Sequence, residues 1–407
     1  MNFIQTCETD PASSIIMFLP VKSTFWPNLN PLASLYLSYA NIDLLRDNIS
    51  NAKKSLEELG IPVIFVNDVL IKDRDILLKK AVFTLTYKLV NELQYETEEE
   101  RKRLEYHLSD DYKYEVLKNF SNEELIETII NKPTCYIESH KFNTGLNLLK
   151  IDIEPLGNLI YCRDQQIITR KGIILTNLNS VQRNREKEIF KLFYEQLNIP
   201  ILEEARGDQK LEGGDFIIAK PDLCLLGVGM RTNFEGAVFL MENDLLGTKR
   251  FGVVTDLTDM NQDRMHLDTF FNVLNPEEVV LLDMDTVKPR KYDSNGDRID
   301  IKRIISLYER RDEKKQFGNY SLSFTMDFEE FLIKEGFKII KVNHEQQIDY
   351  MINFINVGGF KVLTPNKEFK EFLKEKGSKA DVSYIEFSEV LKMYGGLHCA
   401  TQIIRNG

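Results

Sequence analysis

The stretch Phe331-Leu-Ile-Lys-Glu-Gly336, followed directly by Phe337-Lys-Ile-Ile-Lys-Val342, is the clearest guide to the fold. Its first half has the composition of a short amphipathic helix, and a glycine after the last turn permits the left-handed cap that ends a helix. Its second half is rich in β-branched residues and predicts a strand. Similar helix-to-strand stretches occur at 55–66, 193–202 and 372–387, with Asn198 in the glycine position of the second. This repetition predicts an α/β protein built from a recurring αβ module.

One long segment departs from this alternation. Between 73 and 132 the sequence favours helices, because Leu77, Ala81, Leu85 and Leu89 recur at helical spacing. The charged run at 98–103 within this segment is typical of a solvated helix face. We therefore predict that 73–132 is a helical insertion and that 1–72 and 133–407 together form the α/β domain.

The overall composition is that of a globular protein, and it argues against several classes of function. The 407 residues carry a net charge of -11, whereas a protein that follows a phosphate backbone needs a basic face. The five cysteines form no CxxC pair, so neither a disulfide framework nor a zinc site is indicated. The N-terminal residues lack a signal-peptide pattern, and the apolar runs are too short to cross a bilayer. We therefore expect a cytoplasmic protein with neither nucleic acid nor membrane as a partner.

Three clusters of chemically reactive residues stand out. They are Leu211-Glu-Gly-Gly-Asp-Phe216, Met265-His-Leu-Asp-Thr269 and Tyr394-Gly-Gly-Leu-His-Cys399. Taken singly, each also fits a structural role as a tight turn, a satisfied or metal-binding histidine, or a buried cysteine. On a strand, His266 and Asp268 would project from the same face. Together the clusters supply a thiol nucleophile, an imidazole with an acid to orient it, and further carboxylates for a cation.

In this order along the chain, the three clusters resemble the arginine deiminases. Those enzymes belong to a guanidino-modifying superfamily whose pentein fold is an α/β propeller, a fivefold pseudosymmetric ring of ββαβ modules. In the arginine deiminase branch a helical insertion follows the first module. Asn158-Leu-Ile-Tyr-Cys-Arg-Asp164 and Gly229-Met-Arg-Thr232 are similar to further motifs of the family, as is Arg183 upstream of Glu186. The likeness in sequence runs from about Asn158 to the end.

The resemblance implies an enzyme that hydrolyses guanidino groups, in the first place L-arginine to L-citrulline and ammonia. Cys399 would attack the guanidinium carbon and form an amidino-thioether intermediate. His266 would act as general acid and base, with Glu212 orienting its imidazole. Two carboxylates, Asp164 and Asp268, would bind the guanidinium nitrogens through paired charge-assisted hydrogen bonds.

The resemblance also implies how the rest of a small guanidino substrate is held. Asn158, Arg183 and Arg231 would bind a carboxylate at its far end. Asp215 would either bind the substrate or brace the Gly-Gly turn, and bracing is favoured. No metal, nucleotide or organic cofactor is implied, and a homo-oligomer is compatible with this interpretation. His398 is expected to face away from its neighbour Cys399 on an extended segment and is interpreted as structural.

Two departures from the family leave the guanidino compound open. Tyr394 stands where the family has an arginine, five residues before the nucleophile, and the family's Leu-Phe-Asp-Asp segment has no clear equivalent at 34–45. One alternative is an amidinotransferase, in which an amine resolves the intermediate instead of water. Others are a deiminase or dihydrolase of agmatine, methylated arginine or peptidyl arginine, although Arg183 and Arg231 argue against a peptide-linked substrate. A non-catalytic family member is the remaining alternative.

Overall fold

A computed structural model describes residues 3–93, 95–139, 147–256, 261–287, 303–315 and 317–405. Its strands are β1 (Ser14–Met17), β2 (Val63–Phe65), β3 (Thr86–Leu89), β4 (Thr134–Ser139), β5 (Asn147–Asp152), β6 (Gln166–Ile168), β7 (Ile173–Leu175), β8 (Ile201–Glu204), β9 (Phe216–Lys220), β10 (Leu223–Val228), β11 (Arg250–Thr255), β12 (Phe271–Asn275), β13 (Glu278–Leu282), β14 (Ile304–Lys315), β15 (Gly318–Asp327), β16 (Lys338–Val342), β17 (Ile355–Gly358), β18 (Lys361–Thr364), β19 (Asp381–Tyr384) and β20 (Gln402–Ile404). Its helices are α1 (Ile42–Glu58), α2 (Val66–Leu70), α3 (Arg74–Thr84), α4 (Glu98–His107), α5 (Asp110–Leu117), α6 (Asn122–Asn131), α7 (Glu186–Gln196), α8 (Phe234–Glu242), α9 (Phe328–Lys334), α10 (His344–Ile348), α11 (Phe369–Glu375) and α12 (Ser388–Leu391).

Five units of three strands each repeat one order of elements. Two antiparallel strands are followed by a helix and then by a third strand that runs parallel to the second. In one unit the strands β14 and β15 come between β13 and the helix α9, and β14 pairs with β11 of the preceding unit. The modules along the chain are β6-β7-α7-β8, β9-β10-α8-β11, β12-β13-α9-β16 and β17-β18-α11-β19. The fifth is completed by the two ends of the chain, since β20 pairs antiparallel with β1 and β2 runs parallel to β1. This arrangement is the fivefold ββαβ fold that the sequence predicts.

The turns between helix and strand explain why the pattern was visible in the sequence. Gly60, Asn198, Gly336 and Gly377 follow α1, α7, α9 and α11 and have φ angles of 79°, 55°, 84° and 63°. A Cβ added at Gly60, Gly336 or Gly377 would meet no atom within 4 Å. These positions therefore favour glycine because their backbone is left-handed, and not because a side chain would lack space. All four predicted helix-to-strand connections are confirmed.

The segment 73–132 contains α3, α4, α5 and α6, together with the short strand β3. Side chains of Asp73, Thr97, Ser109 and Ser121 accept hydrogen bonds from the first backbone N–H groups of these helices, which fixes where each helix begins. The charged run 98–103 lies in α4, which buries no residue, so its interpretation as a solvated face is confirmed. The strand β3 pairs with β4, and β4 pairs with β5, outside the five modules. The division into an insertion and a catalytic domain stays a prediction.

The last described residues anchor the segment that carries the site. Cys399, Ala400 and Ile403 pack in one buried apolar cluster with Ile15 of β1 and Ile355 of β17. The segment after α12 is thereby held between the module formed by the chain ends and the module that contains β17. Among the helices in the described ranges, none has both the length and the apolar character needed to cross a bilayer.

Candidate active site

A cavity of about 80 Å³ that opens to solvent is lined mainly by residues outside the strands. Its wall includes six of the residues predicted from the sequence: Asn158, Asp164, Arg183, Arg231, His266 and Cys399. Three others, Glu212, Asp215 and Asp268, lie behind this wall and are at most 3% exposed. The structure therefore brings together residues that are up to about 240 positions apart in the sequence.

Close backbone approaches explain the glycines in two of the motifs. A Cβ at Gly214 would lie 2.9 Å from His266 Nδ1, and one at Gly396 would lie 2.5 Å from Asn353 Oδ1. Real Cβ contacts are longer than this, so any side chain at these positions would displace the group it meets. The Glu-Gly-Gly-Asp and Gly-Gly-Leu-His-Cys stretches thus keep their glycines free of side chains beside the site.

The Cys399 thiol is buried against both an amide and a carboxylate. Asn353 Nδ2 donates to Cys399 Sγ at 3.1 Å, and the sulfur lies 3.7 Å from Asp268 Oδ2. Burial, followed by the charges of Asp268 and Asp164, raises the pKa of Cys399 well above its ordinary value. The thiol is therefore protonated at neutral pH.

His266 and Glu212 form a buried ion pair. His266 Nε2 lies 2.8 Å from Glu212 Oε2, and His266 Nδ1 lies 3.9 Å from Asp164 Oδ1. Burial alone would lower the pKa of His266, but Asp164, Asp215 and Glu212 outweigh it and raise that pKa to about 10. Burial likewise opposes ionisation of Glu212, but the hydrogen bond from His266 lowers the pKa of Glu212 to about 2. At neutral pH the pair is an imidazolium and a carboxylate.

Asp164 offers one bound and one free oxygen. Its Oδ2 lies 2.8 Å from Arg183 Nη1, while its Oδ1 is buried without a hydrogen-bond partner in the described part of the chain. Arg183 also contacts Glu186, with Nη2 at 3.0 Å from Oε2, and Gln165 Nε2 donates to the same oxygen at 2.6 Å. Asp164 Oδ1 therefore has the 3.9 Å ion-pair contact with His266 Nδ1 but can still accept a hydrogen bond from a donor in the cavity.

Asp268 is held by the histidine next to the cysteine. Its Oδ2 lies 2.7 Å from His398 Nδ1, and its Oδ1 is buried with no hydrogen-bond partner among the described residues. Burial lowers the pKa of His398. Burial acts against ionisation of Asp268, but His398 outweighs it and lowers the pKa of that carboxyl. A neutral His398 thus donates its Nδ1–H to an ionised Asp268.

The remaining predicted residues occupy different positions relative to the cavity. Arg231 has its Nε and Nη2 at 3.2 Å from Met265 Sδ, and its Nη1 lies 4.0 Å from Glu212 Oε1. Asn158 Oδ1 is buried and lacks a hydrogen-bond partner within the described ranges. Asp215 lies outside the cavity wall, and its Oδ1 accepts the backbone N–H of Leu267 at 2.9 Å. Burial raises the pKa of Asp215 to about 7.

Two local predictions were wrong. The Met265–Thr269 stretch is not a strand: it forms a short 3-10 turn at Leu267–Thr269, and His266 is the extended residue before it. The residues around His398 form a turn and not an extended segment, which is why His398 can reach Asp268. Alternation along a strand therefore does not explain how either pair is oriented, because tertiary packing sets both turns.

Two further residues of the site could not be recognised from any pattern in the sequence. Asn353, which lies between Ile352 and Phe354, contacts the thiol from a loop that precedes β17. Asp263 lines the cavity and accepts a hydrogen bond from the hydroxyl of Tyr394. Tyr394 itself has a φ of 74°, a strained value for a residue with a side chain.

Three of these side chains could in principle surround a cation. One donor atom each from Asp164, Glu212 and His266 lies within 4.8 Å of the others. A metal ion would have to displace the proton of His266, whose pKa is raised to about 10, before the imidazole could bind it. The donor set is therefore better suited to an organic cation that donates hydrogen bonds to carboxylates.

The structure combines five ββαβ modules with a buried cysteine, an imidazolium and several carboxylates. This combination defines a class of enzyme that acts on amidines. The chain belongs to the arginine deiminase family, whose sequence model matches residues 40–405. It is therefore a hydrolase that acts on amidine C–N bonds.

The relatives agree with this assignment. An arginine deiminase of Halobacterium salinarum is 23% identical over 494 residues, covering 98% of this chain and 96% of that protein. An arginine deiminase of Mycolicibacterium gilvum is 30% identical over 160 residues, covering 36% of this chain and 39% of that protein. The structure of DDAH from Pseudomonas aeruginosa, a mutant complexed with citrulline, matches with a TM-score of 0.53 at 14% identity, over 97% of this chain and 100% of that one. The predicted family and fold are confirmed.

Proposed function

We propose that this protein hydrolyses a guanidino group through a covalent bond to Cys399, with L-arginine as the first candidate substrate and L-citrulline and ammonia as products. One observation carries the proposal. Two buried carboxylate oxygens without hydrogen-bond partners in the described part of the chain, Asp164 Oδ1 and Asp268 Oδ1, belong to side chains whose charges both act on the Cys399 thiol. Buried carboxylate oxygens are costly unless a donor meets them, and a guanidinium supplies several N–H donors and a positive charge.

The bound cation would also activate the nucleophile. In the free protein, burial and two carboxylates keep the Cys399 thiol protonated. A guanidinium between Asp164 and Asp268 neutralises those charges and places a positive charge beside the sulfur, so the thiol pKa falls and its proton is lost to solvent. The thiolate then adds to the guanidinium carbon, which gives a neutral tetrahedral adduct.

His266 would handle the protons of the later steps. As an imidazolium it protonates one nitrogen of the adduct, the C–N bond breaks, and ammonia leaves an amidino-thioether cation on Cys399. The neutral imidazole then removes a proton from water, and the resulting hydroxide adds to the same carbon. When the C–S bond breaks, the ureido product and the thiolate are released, and the hydroxyl proton goes to solvent. Glu212 keeps the imidazole oriented through its 2.8 Å contact.

The far end of the substrate would meet the two arginines and Asn158. Arg231 is less strongly paired than Arg183, because its nearest described carboxylate oxygen, on Glu212, lies 4.0 Å away. Its other contact is with the thioether of Met265. Arg183 already contacts Asp164 and Glu186, so it would contribute positive charge near the substrate carboxylate. We assign the substrate carboxylate to Arg231 first. Asp215, outside the cavity wall, braces the turn at Leu267 in this proposal.

The test is release of ammonia and of a ureido product from L-arginine, agmatine, methylated arginines and a blocked arginine peptide. Cys399→Ala should abolish release from every compound, whereas Cys224→Ala, a buried cysteine outside the cavity, should retain it. Release from L-arginine that depends on Cys399 supports the proposal. Turnover that requires an added acceptor amine would replace hydrolysis with amidino transfer, and silence with and without amines would refute both.

A further inference from the structure

We propose that Asn353 is a catalytic residue of this site, in that its side-chain amide holds the sulfur of Cys399 and stabilises its thiolate. The inference rests on the proposed function, because it concerns the same nucleophile. It adds a group that no motif in the sequence indicated.

The orientation of the Asn353 amide is determined by its neighbours. Its Oδ1 accepts the backbone N–H of His398 at 2.9 Å and that of Cys399 at 3.4 Å. Only an oxygen can accept these two bonds, so the Nδ2 group must be on the other side of the amide. There Nδ2 donates to Cys399 Sγ at 3.1 Å and lies 3.4 Å from the carbonyl oxygen of Asp268.

Contacts with the neighbouring backbone also hold the Asn353 amide in position. Asn353 is 3% exposed, and Asn272 Nδ2 donates to the carbonyl oxygens of Ile352 and Phe354 on either side of it, at 2.9 Å each. A Cβ at Gly396 would collide with the Asn353 side chain, so the Gly-Gly bend allows this approach. The donor is therefore in place before substrate binds and needs no reorganisation during the reaction.

The charges around the sulfur show why such a donor matters. Asp268 and Asp164 oppose formation of the thiolate, and the imidazolium of His266 is already paired with Glu212. Asn353 is a neutral donor that favours the thiolate without repelling the incoming guanidinium, as a lysine or arginine in its place would. The same hydrogen bond stabilises the sulfur again when it leaves as a thiolate in the final step.

The experiment measures alkylation of Cys399 by iodoacetamide at fixed pH, located by peptide mass spectrometry, and the pH profile of turnover. Asn353→Asp keeps the acceptor for both backbone N–H groups but replaces the donor with a second acceptor. Asn353→Ala removes both. A hydrogen bond to a charged group corresponds to about a tenfold to hundredfold change in equilibrium. We expect alkylation to slow by about that factor in both variants, and kcat to fall with it.

The matched control is Asn356→Ala. Asn356 is 3% exposed, and its Nδ2 donates to the carbonyl oxygens of Leu274 and Gly359 instead of a reactive group. It should lower the thermal stability while leaving the alkylation rate of Cys399 unchanged. If Asn353→Asp and Asn353→Ala fold and alkylate at the rate of the unaltered protein, the inference is wrong. Alkylation needs no turnover, so this result is distinguishable from a failure of the substrate panel.

Discussion

Glu212→Gln removes one charge from the site while keeping the shape of the side chain. Glutamine can still accept the backbone N–H of Asn179, which Glu212 Oε1 accepts at 2.9 Å, so the local backbone should remain in place. The bond that changes is the 2.8 Å contact to His266, between two side chains that are at most 3% exposed. In the variant, the amide nitrogen of the glutamine would donate a hydrogen bond to His266 Nε2, which favours the neutral form of the imidazole.

The size of the effect follows from that contact. A hydrogen bond between charged partners contributes about 1.5–3 kcal/mol, which corresponds to about one to two pKa units. Asp164 and Asp215 also raise the pKa of His266 and would remain. We therefore expect the pKa of His266 to fall from about 10 by about one to two units. The neutral imidazole would carry its proton on Nδ1, because Nε2 accepts the bond from the glutamine amide. Loss of a positioned general acid and base should reduce kcat by about a hundredfold or more.

Two assays check this expectation. Nitrogen NMR of the imidazole rings between pH 6 and 11 follows the titration of His266, and His266→Gln identifies its resonance among those of the five histidines. The pH dependence of kcat should show its alkaline limb moving to lower pH by the same interval. The control is Glu278→Gln, a 5% exposed carboxylate outside the cavity wall that is paired with Lys338 and Asn275. That variant should lose stability but keep the His266 midpoint. An unchanged midpoint and kcat in Glu212→Gln would refute the assigned role of the ion pair.

Three further outcomes follow from the same geometry. Asp268→Asn should make Cys399 alkylate faster at pH 8, because the Asp268 charge raises the thiol pKa. It should nevertheless reduce turnover, because the proposed ligand of the guanidinium is lost. Slower alkylation would contradict this account. Arg231→Gln should raise KM for L-arginine by about tenfold to a hundredfold, because it removes a hydrogen bond to a charged group. KM for agmatine, which has no carboxylate, should not change. Equal effects on both KM values would show that Arg231 does not bind the substrate carboxylate. The folded-state pKa of His266 lies above its ordinary 6.5, so its stabilising contribution should be complete below pH 6.5 and be lost as pH rises towards about 10. Urea unfolding should show that decline, and His266→Gln should flatten it.

The reasons for success and failure of the sequence predictions differ between elements. The helix-to-strand connections were predictable because their requirement is local: a left-handed residue after a helical turn, as at Gly336 with a φ of 84°, needs glycine or asparagine whatever lies around it. The short strand β3 within 73–132 was missed because strand formation there depends on pairing with β4, which is distant in the sequence.

The same distinction applies to the site. Cys399, His266 and Glu212 could be proposed from the sequence because they stand in short motifs that resemble those of the family, and a motif is local in the sequence. The strand predicted for His266 and Asp268 proved to be a 3-10 turn, because hydrogen bonds from other parts of the chain, such as the one between Asp215 and Leu267, decide its shape. The prediction that His398 faces away from Cys399 on an extended segment was wrong for a similar reason.

By itself, the sequence determined the modular α/β fold, the family and the chemical groups of the site, because backbone conformation and side-chain chemistry are encoded position by position. Only the tertiary structure decided which groups meet. It paired Asp268 with His398, placed Asn353 against the sulfur, and buried Glu212 beside His266. Charge states in the site follow from those contacts, since burial and neighbouring charges within a few ångströms set each pKa, and no pattern along the chain contains those distances.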